Sequence, residues 1–346
     1  MIYLSFFPDY KNHSNVNGNA ILSEKLYLRY FKKEKDILLN TTSSNQYLTK
    51  IKKIIYSFYS LFLLISKKQK SIYTVLLDNF GFYPHVVLLF IASFFCKKII
   101  IYHHSFKYIT RKKPLLSFLN SKKIINIATS KKQFMTLKKK YDLQNVHLIQ
   151  NFIFLLDKKK FFKKKINKKF KVIYFSSIMK RKGIYEFINL SKKFINKKNI
   201  KFFVYGNDCS PEIHKNLKYL KNKKIINDFK FNIYGQMKRR IFSNSDILIF
   251  PSKHISETTP LVLDECINYG LIPISYNIGD TKGQIGHLNL IVNSFNQLCK
   301  KLVITIKNYQ KVKNSIIKEK KIMIVKKSKL IQKLDMFFLE EFYQSH

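Results

Sequence analysis

Tryptophan is missing from the 346 residues, and glycine (9), proline (7), cysteine (4) and acidic residues (20) are all sparse. The four cysteines, Cys96, Cys209, Cys266 and Cys299, lie far apart with no CxxC pair. That spacing supports neither a disulfide framework nor a zinc site, and it suits small core residues in a reducing compartment. Long apolar runs are missing too: the longest clean one, residues 86–96, falls short of the ~20 residues that cross a bilayer. The opening MIYLSFFPDY has no basic n-region and no cleavage site, so it reads as a first buried strand and not as a signal peptide. These absences predict a cytoplasmic protein, soluble or peripheral at the inner face of the membrane.

What is abundant is lysine. Lys and Arg total 65, for a formal net charge of +45. A charge of that size invites a nucleic-acid reading. The lysines, however, run through nearly the whole length beside abundant Ile, Asn, Phe and Tyr, the joint bias of a genome rich in AAA, ATA, AAT and TTT codons. Compositional drift with solvated faces is the first reading, a selected surface for anionic membrane the second, and nucleic acid the least favoured. Hydrophobic residues make up 46%, which argues for a folded protein and not a disordered basic tail. The length suits two domains, each with its own core.

Strands and helices alternate along the chain. The first part predicts strands at residues 2–6, 37–39, 73–77, 98–102, 124–128 and 146–149, with a loop at 8–17 before a helix starting near Gly18. Leu48, Ile51, Ile55, Phe58 and Phe62 recur at spacings of 3, 4, 3 and 4, which puts them on one helical face. Residues 86–96 read as a buried helix and 131–141 as a lysine-rich one. The pattern collapses in DKKKFFKKKINKKF, residues 157–170, a basic linker. A second series follows, with strands at 172–175, 202–205, 229–233, 247–250 and 272–275, helices at 184–194 and from Pro260, and mostly helix from 293 onward. This alternation predicts two Rossmann-like α/β/α domains with parallel sheets, residues 1–156 and 171–325, and a C-terminal helix at 326–346. Two such domains imply a cleft, and ligands of open α/β sheets bind beyond the carboxyl ends of the strands.

The segment DILIFPSKHISETTPLVLDECINYG, residues 246–270, is the most informative. It reads as a buried strand, a loop carrying Glu257, and a helix with Thr259 as N-cap, Pro260 in its first turn and Gly270 as its stop. Free N–H groups at Leu261, Val262 and Leu263 make an anion site. Carboxylates at Glu257 and Glu265 have little reason to face phosphate but good reason to accept from sugar hydroxyls. The pattern suggests a nucleotide-sugar, with diphosphate at the helix start, the transferred sugar near Glu257 and ribose near Glu265. In FSSIMKRKG, residues 175–183, a strand end delivers Lys180, Arg181 and Lys182, cations suited to a diphosphate leaving group; a solvated lysine run is the plainer reading. His103 and His104 follow a strand end, where an imidazole can touch substrate or be merely structural. Gly18 lets backbone approach a ligand on the acceptor side, or is an ordinary turn glycine.

Together these features resemble the family 4 retaining glycosyltransferases, the group 1 set of the GT-B fold. Glu257 and Glu265 match its E-x7-E motif, framed by DILIFPS and by Gly270 and Pro273. Lys182 and Gly183 match the KG of its G-R-L-x-x-x-K-G segment, Gly206 its strand-end glycine, and Gly235 the glycine before its next helix. Residues 128–130 with Gln150 and Asn151 look like the ending of its first domain. The resemblance implies that the two domains face each other across a cleft and that the C-terminal helix returns to the first. It implies that Glu257 holds hydroxyls of the transferred sugar, that Glu265 binds ribose, and that Lys182 with the backbone of Thr258, Thr259, Pro260 and Leu261 holds the diphosphate. His103 or His104 would lie near the sugar. No cofactor and no metal are expected, and the anomeric configuration is retained. The family's G-R falls on Ser176 and Ser177, so the arginine that grips phosphate is absent; Lys180 or Arg181 stands nearby, a poorer match in the case of lysine.

The expected activity is therefore transfer of a hexose from a nucleotide-diphosphate sugar to a lipid-linked, lipopolysaccharide or capsule saccharide in a bacterium. Expected partners are the donor, a saccharide or lipid-linked acceptor and an anionic membrane surface, with no nucleic acid. The alternatives are a catalytically silent scaffold of this family, which the serine at 177 motivates, and a basic nucleic-acid-binding protein.

Overall fold

β-Branched and aromatic runs form two parallel sheets, and what stands between them forms helices that cover those sheets. The computed structural model describes residues 2–5, 24–31, 37–40, 46–66, 71–76, 82–110, 114–151, 169–207 and 209–342. Gly18 and residues 157–168 of the expected linker lie outside the described residues. The chain divides into two compact units. One comprises Met1–Phe154, Ser256–Thr258 and Gln332–His346, the other Leu155–Ile255 and Thr259–Ile331.

The first unit is built on β1 (Ile2–Ser5), β2 (Ile37–Asn40), β3 (Ser71–Val75), β4 (Lys98–His103), β5 (Ile124–Ala128) and β6 (Val146–Leu148), all parallel in the order β2-β1-β3-β4-β5-β6. Every residue of β5 is buried and only the first of β4 is not, as expected of strands covered on both faces. The helices are α1 (Gln46–Ser66), α2 (Phe82–Phe95), α3 (Phe106–Thr110) and α4 (Lys131–Tyr141), with a 3₁₀ turn at Pro114–Leu119. Ser130 caps α4 by accepting from the Gln133 N–H at 3.1 Å, and Asp142 ends it in the left-handed conformation. The end of the C-terminal helix belongs to this unit, as the resemblance implies: Asp335 accepts from Arg29 and from the Tyr30 hydroxyl, and Phe338 stacks on Tyr30 at 4.2 Å.

Leu48, Ile51, Ile55, Phe58 and Phe62 do share a face of α1, but that face is exposed; the helix packs inward through Ser57, Ser60, Leu63 and Leu64. The helix read as buried at 86–96 is likewise only half so, with Val87, Phe90, Ile91, Phe94 and Phe95 exposed.

The second unit carries β7 (Phe170–Ser177), β8 (Ile200–Asn207), β9 (Asp228–Phe231), β10 (Ile247–Phe250), β11 (Ile272–Tyr276) and β12 (Ile291–Val292), parallel in the order β12-β11-β10-β7-β8-β9. Its helices are α5 (Ile184–Lys193), α6 (Pro211–Asn222), α7 (Gly235–Ser243), α8 (Leu261–Tyr269), α9 (Thr281–Ile285), α10 (Phe295–Lys307) and, as far as Ile331, α11 (Tyr309–Phe342). The chain runs outward from β7 through β8 to β9, then returns to place β10 on the other flank of β7. The sheet's switch point thus lies between the carboxyl ends of β7 and β10, where open α/β sheets take their ligands.

Candidate functional site

β7 and β10 are adjacent parallel strands with buried centres, and the chain leaves both in irregular backbone. After β7 comes the 3₁₀ turn Lys180–Lys182, closed by Gly183. The buried Tyr174 ring holds this turn from below, its hydroxyl donating to the carbonyls of Ser177 at 2.8 Å and Lys182 at 3.3 Å. The Lys253 N–H donates to the Arg181 carbonyl at 3.0 Å, tying the turn to the loop after β10. Gly183 has φ 81°, and a Cβ there would stand 2.0 Å from the Pro251 carbonyl oxygen. Gly206 at the end of β8 is confined in the same way: a Cβ would stand 1.8 Å from the Ser176 carbonyl oxygen. Both glycines of the sequence motif are therefore demanded by close backbone approach. Lys180 and Arg181 are exposed, while Ser177 and Lys182 are half-buried.

The loop from β10 carries Glu257, half-buried, and then Thr258, Thr259 and Pro260, all buried. The expected N-cap is corrected. α8 begins at Leu261 with Pro260 as its cap residue, φ −59° and ψ 114°, and no side chain caps it. Thr259 therefore stands one residue too early to reach the second or third N–H of the helix. The Leu263 N–H is not free either, since it donates to the Pro260 carbonyl at 3.1 Å. Leu261 and Val262 retain first-turn N–H groups with no intrahelical acceptor. Gly270 ends the helix in the left-handed conformation, as the sequence predicts.

Glu265, two turns along from Glu257 in sequence, lies in an ion pair that sequence reasoning missed. Lys238 of α7 donates to both its oxygens, at 2.6 and 2.7 Å. The same ammonium lies 5.1 Å from the centroid of Phe175, on β7, and 5.6 Å from that of Phe242. The available signal was Gly235: the helix that it opens carries Lys238 one turn in, on the carboxyl side of β9. Asp264 is a carboxyl that sequence reasoning missed. It is fully buried, and burial pushes its pKa up to about 7, against the Gln284 amide that donates to it at 3.1 Å. Glu186, at the start of α5, pairs with Lys253 and accepts from the Tyr276 hydroxyl at 3.2 Å.

In the first unit the two histidines separate. His103 is buried and has both ring nitrogens engaged, Nδ1 with the Tyr108 hydroxyl at 3.1 Å and Nε2 with the side-chain amide oxygen Oδ1 of Asn126 at 3.0 Å. Burial lowers its pKa to about 4, so it is neutral and donates through Nε2 while Nδ1 accepts. These bonds tie β4 to β5 and α3 and leave no ring nitrogen for a sugar. His104 packs on the Tyr102 ring, centroids 4.5 Å apart. Among the described residues no group of three or more His, Cys, Asp or Glu is placed to hold a metal ion.

Two parallel-sheet Rossmann-like units define the class as that of the GT-B glycosyltransferase fold. Solved structures of similar fold include a mutant of S. aureus TarM in complex with fondaparinux, alpha-GlcNAc-glycerol and UDP, at 17% identity and TM-score 0.60, covering 83% of this chain and 59% of that one. Anabaena Alr3699/HepE in complex with UDP matches at 11% identity and TM-score 0.63, covering 98% and 99%. A glycosyltransferase from Rickettsia africae ESF-5 matches at 12% identity and TM-score 0.67, covering 99% and 99%. The chain spans about three fifths of the length of TarM. No curated protein sequence matches it. The family model described as glycosyl transferases group 1 matches residues 157–323, and the second unit therefore carries a group 1 glycosyl transferase domain.

Proposed function

We propose that this chain is a nucleotide-sugar-dependent glycosyltransferase that moves a hexose, with retention and without a metal ion, to a lipid-linked, lipopolysaccharide or capsule saccharide. The observation that carries the reading is the switch point of the second sheet. There the Lys180–Lys182 turn follows β7, the loop that leads into α8 follows β10, and Lys238, paired with Glu265, lies against Phe175 of β7. Donor diphosphate fits the Lys182 turn and the Leu261 and Val262 N–H groups, where fixed positive charge favours the departing anion. Ribose hydroxyls fit Glu265. Hydroxyls of the transferred sugar fit Glu257. In the reaction the acceptor oxygen bonds to the anomeric carbon as the bond from that carbon to the diphosphate breaks. The acceptor proton leaves with the nucleoside diphosphate.

The test is release of nucleoside diphosphate from a panel of nucleotide-sugars, with and without acceptor. Turnover that saturates with one donor, survives EDTA and falls at least about a hundredfold in Glu257→Ala is the expected result. The anomeric configuration of the product, read by NMR, must equal that of the donor. A chain that binds nucleotide-sugars and turns none over would be the silent scaffold, and loss of activity in EDTA would overturn metal independence.

A further inference from the structure

The exposed faces of α1 and α2 have no task in the proposed chemistry. α1 buries small hydroxyl residues and presents aromatic ones: Ser57 and Ser60 face inward, with the Ser60 hydroxyl donating to the Ser57 carbonyl at 2.7 Å, while Phe58 and Phe62 are 57% and 61% exposed. An amphipathic helix on a water-facing surface has the opposite polarity. α2 is apolar on both faces: it buries Val86, Leu89 and Ala92 and presents Val87, Phe90, Ile91 and Phe94 outward, the last 67% exposed. The two helices pack side by side, and right-handed crossovers from β2 to β3 and from β3 to β4 place them on one side of the sheet. Phe90 extends the patch to the 3₁₀ turn through Phe118, ring centroids 5.6 Å apart, and meets Phe94 edge-on at 5.2 Å. Exposed apolar side chains gathered on two adjacent helices mark an interaction site.

Charge decides the occupant. In residues 37–141 Asp78 is the only acidic residue, against nineteen lysines and arginines. Lys52 and Lys97 are exposed on the same two-helix layer, on α1 and directly after α2. A second copy of the chain would bring an equally cationic rim against this one and be repelled. A bilayer bearing anionic lipid supplies both an apolar layer for the rings and phosphate for the ammonium groups. Neither helix can cross it: among the described residues no helix is long and apolar enough, and each has its other face committed to the core.

We propose that the outer faces of α1 and α2, with Phe118, seat the protein on an anionic membrane, the rings entering the headgroup layer and the flanking lysines meeting lipid phosphate. This deepens the lipid-linked acceptor reading and rests on it for its purpose, because a lipid-borne acceptor is met in that plane. The binding itself stands on this face alone.

The test is flotation of the full chain with vesicles of phosphatidylcholine alone and with one third phosphatidylglycerol, compared with the triple variant Phe58→Ser, Phe62→Ser, Phe94→Ser. All three positions are exposed, so the thermal midpoint of the variant should match that of the parent. The parent is expected on the anionic vesicles only, and the variant should bind them about tenfold or more weakly at equal salt. Equal binding by both proteins would overturn the proposal and leave only general lysine attraction. A parent that stays off vesicles and is a dimer by light scattering, while the variant is a monomer, would assign the face to a second copy and overturn it as well. Binding lost with the phenylalanines upholds the proposal whether or not the chain turns over a nucleotide-sugar, so the two readings fail separately.

Discussion

At the scale of single residues, the second unit is organised by two neighbouring carboxyls with opposite solutions. Glu265 is charge-paired by Lys238, and Asp264 is buried against the Gln284 amide. Lys238→Met would leave the Glu265 carboxylate without its two charge-assisted hydrogen bonds and free to swing. The expected result is a donor KM raised about tenfold with kcat changed far less, measured by steady-state nucleoside diphosphate release. Asp264 makes a different prediction. Its pKa is raised from the ordinary 3.8 to about 7, so between those values the folded state holds a proton that the unfolded state has released. Stability of the second unit should therefore fall as pH rises from about 4 to about 7 and level off above. Asp264→Asn removes that dependence and should be the more stable protein at pH 8 by a few kcal/mol, at about 1.4 kcal/mol per pKa unit. Urea midpoints of both proteins from pH 5 to 8 check it; parallel curves would refute it.

At the scale of elements, the meeting of the β7 turn with the β10 loop is held by backbone, and Gly183 is its tightest point. Alanine there would need φ 81° and would drive a methyl group into the Pro251 carbonyl. Gly183→Ala should cost roughly 2–4 kcal/mol of unfolding free energy in the second unit and weaken donor binding, readable by urea titration and thermal shift. How much of this was legible varied with the physics behind each element. The parallel strands were readable because Ile, Val and Phe runs buried on both faces have few other uses, and the order of motifs around residues 246–270 was readable because glycine and proline mark turns. The polarity of α1 was not: a spacing of 3, 4, 3 and 4 reports a shared face but not whether that face meets core or solvent. Thr259 was misplaced as the cap because cap geometry depends on backbone dihedrals that Pro260 fixes one residue later. Lys238 was hidden by composition, since one lysine among so many carries no signal until a carboxylate is found beside it. His103 at a strand end looked chemical, and only its bonds to Tyr108 and Asn126 reveal a clamp.

At the scale of the whole molecule, the charge imbalance is itself a term in stability. With 65 lysines and arginines and 20 acidic residues, at most about a third of the cations can pair one to one. The described pairs, such as Arg29 with Asp335 and Lys221 with Asp228, sit at or near the surface and contribute little each. The remaining cations repel one another over the ~10 Å range that 0.1 M salt permits. Folding draws these charges together, so screening should favour the folded state. Raising NaCl from 50 to 300 mM is expected to move the thermal midpoint upward by roughly a few °C. The same salt should loosen attachment to anionic vesicles, whose attraction it also screens. A midpoint that falls with salt would mean that the few ion pairs outweigh the general repulsion, and that lysine placement in this chain is selected for folding and not merely tolerated.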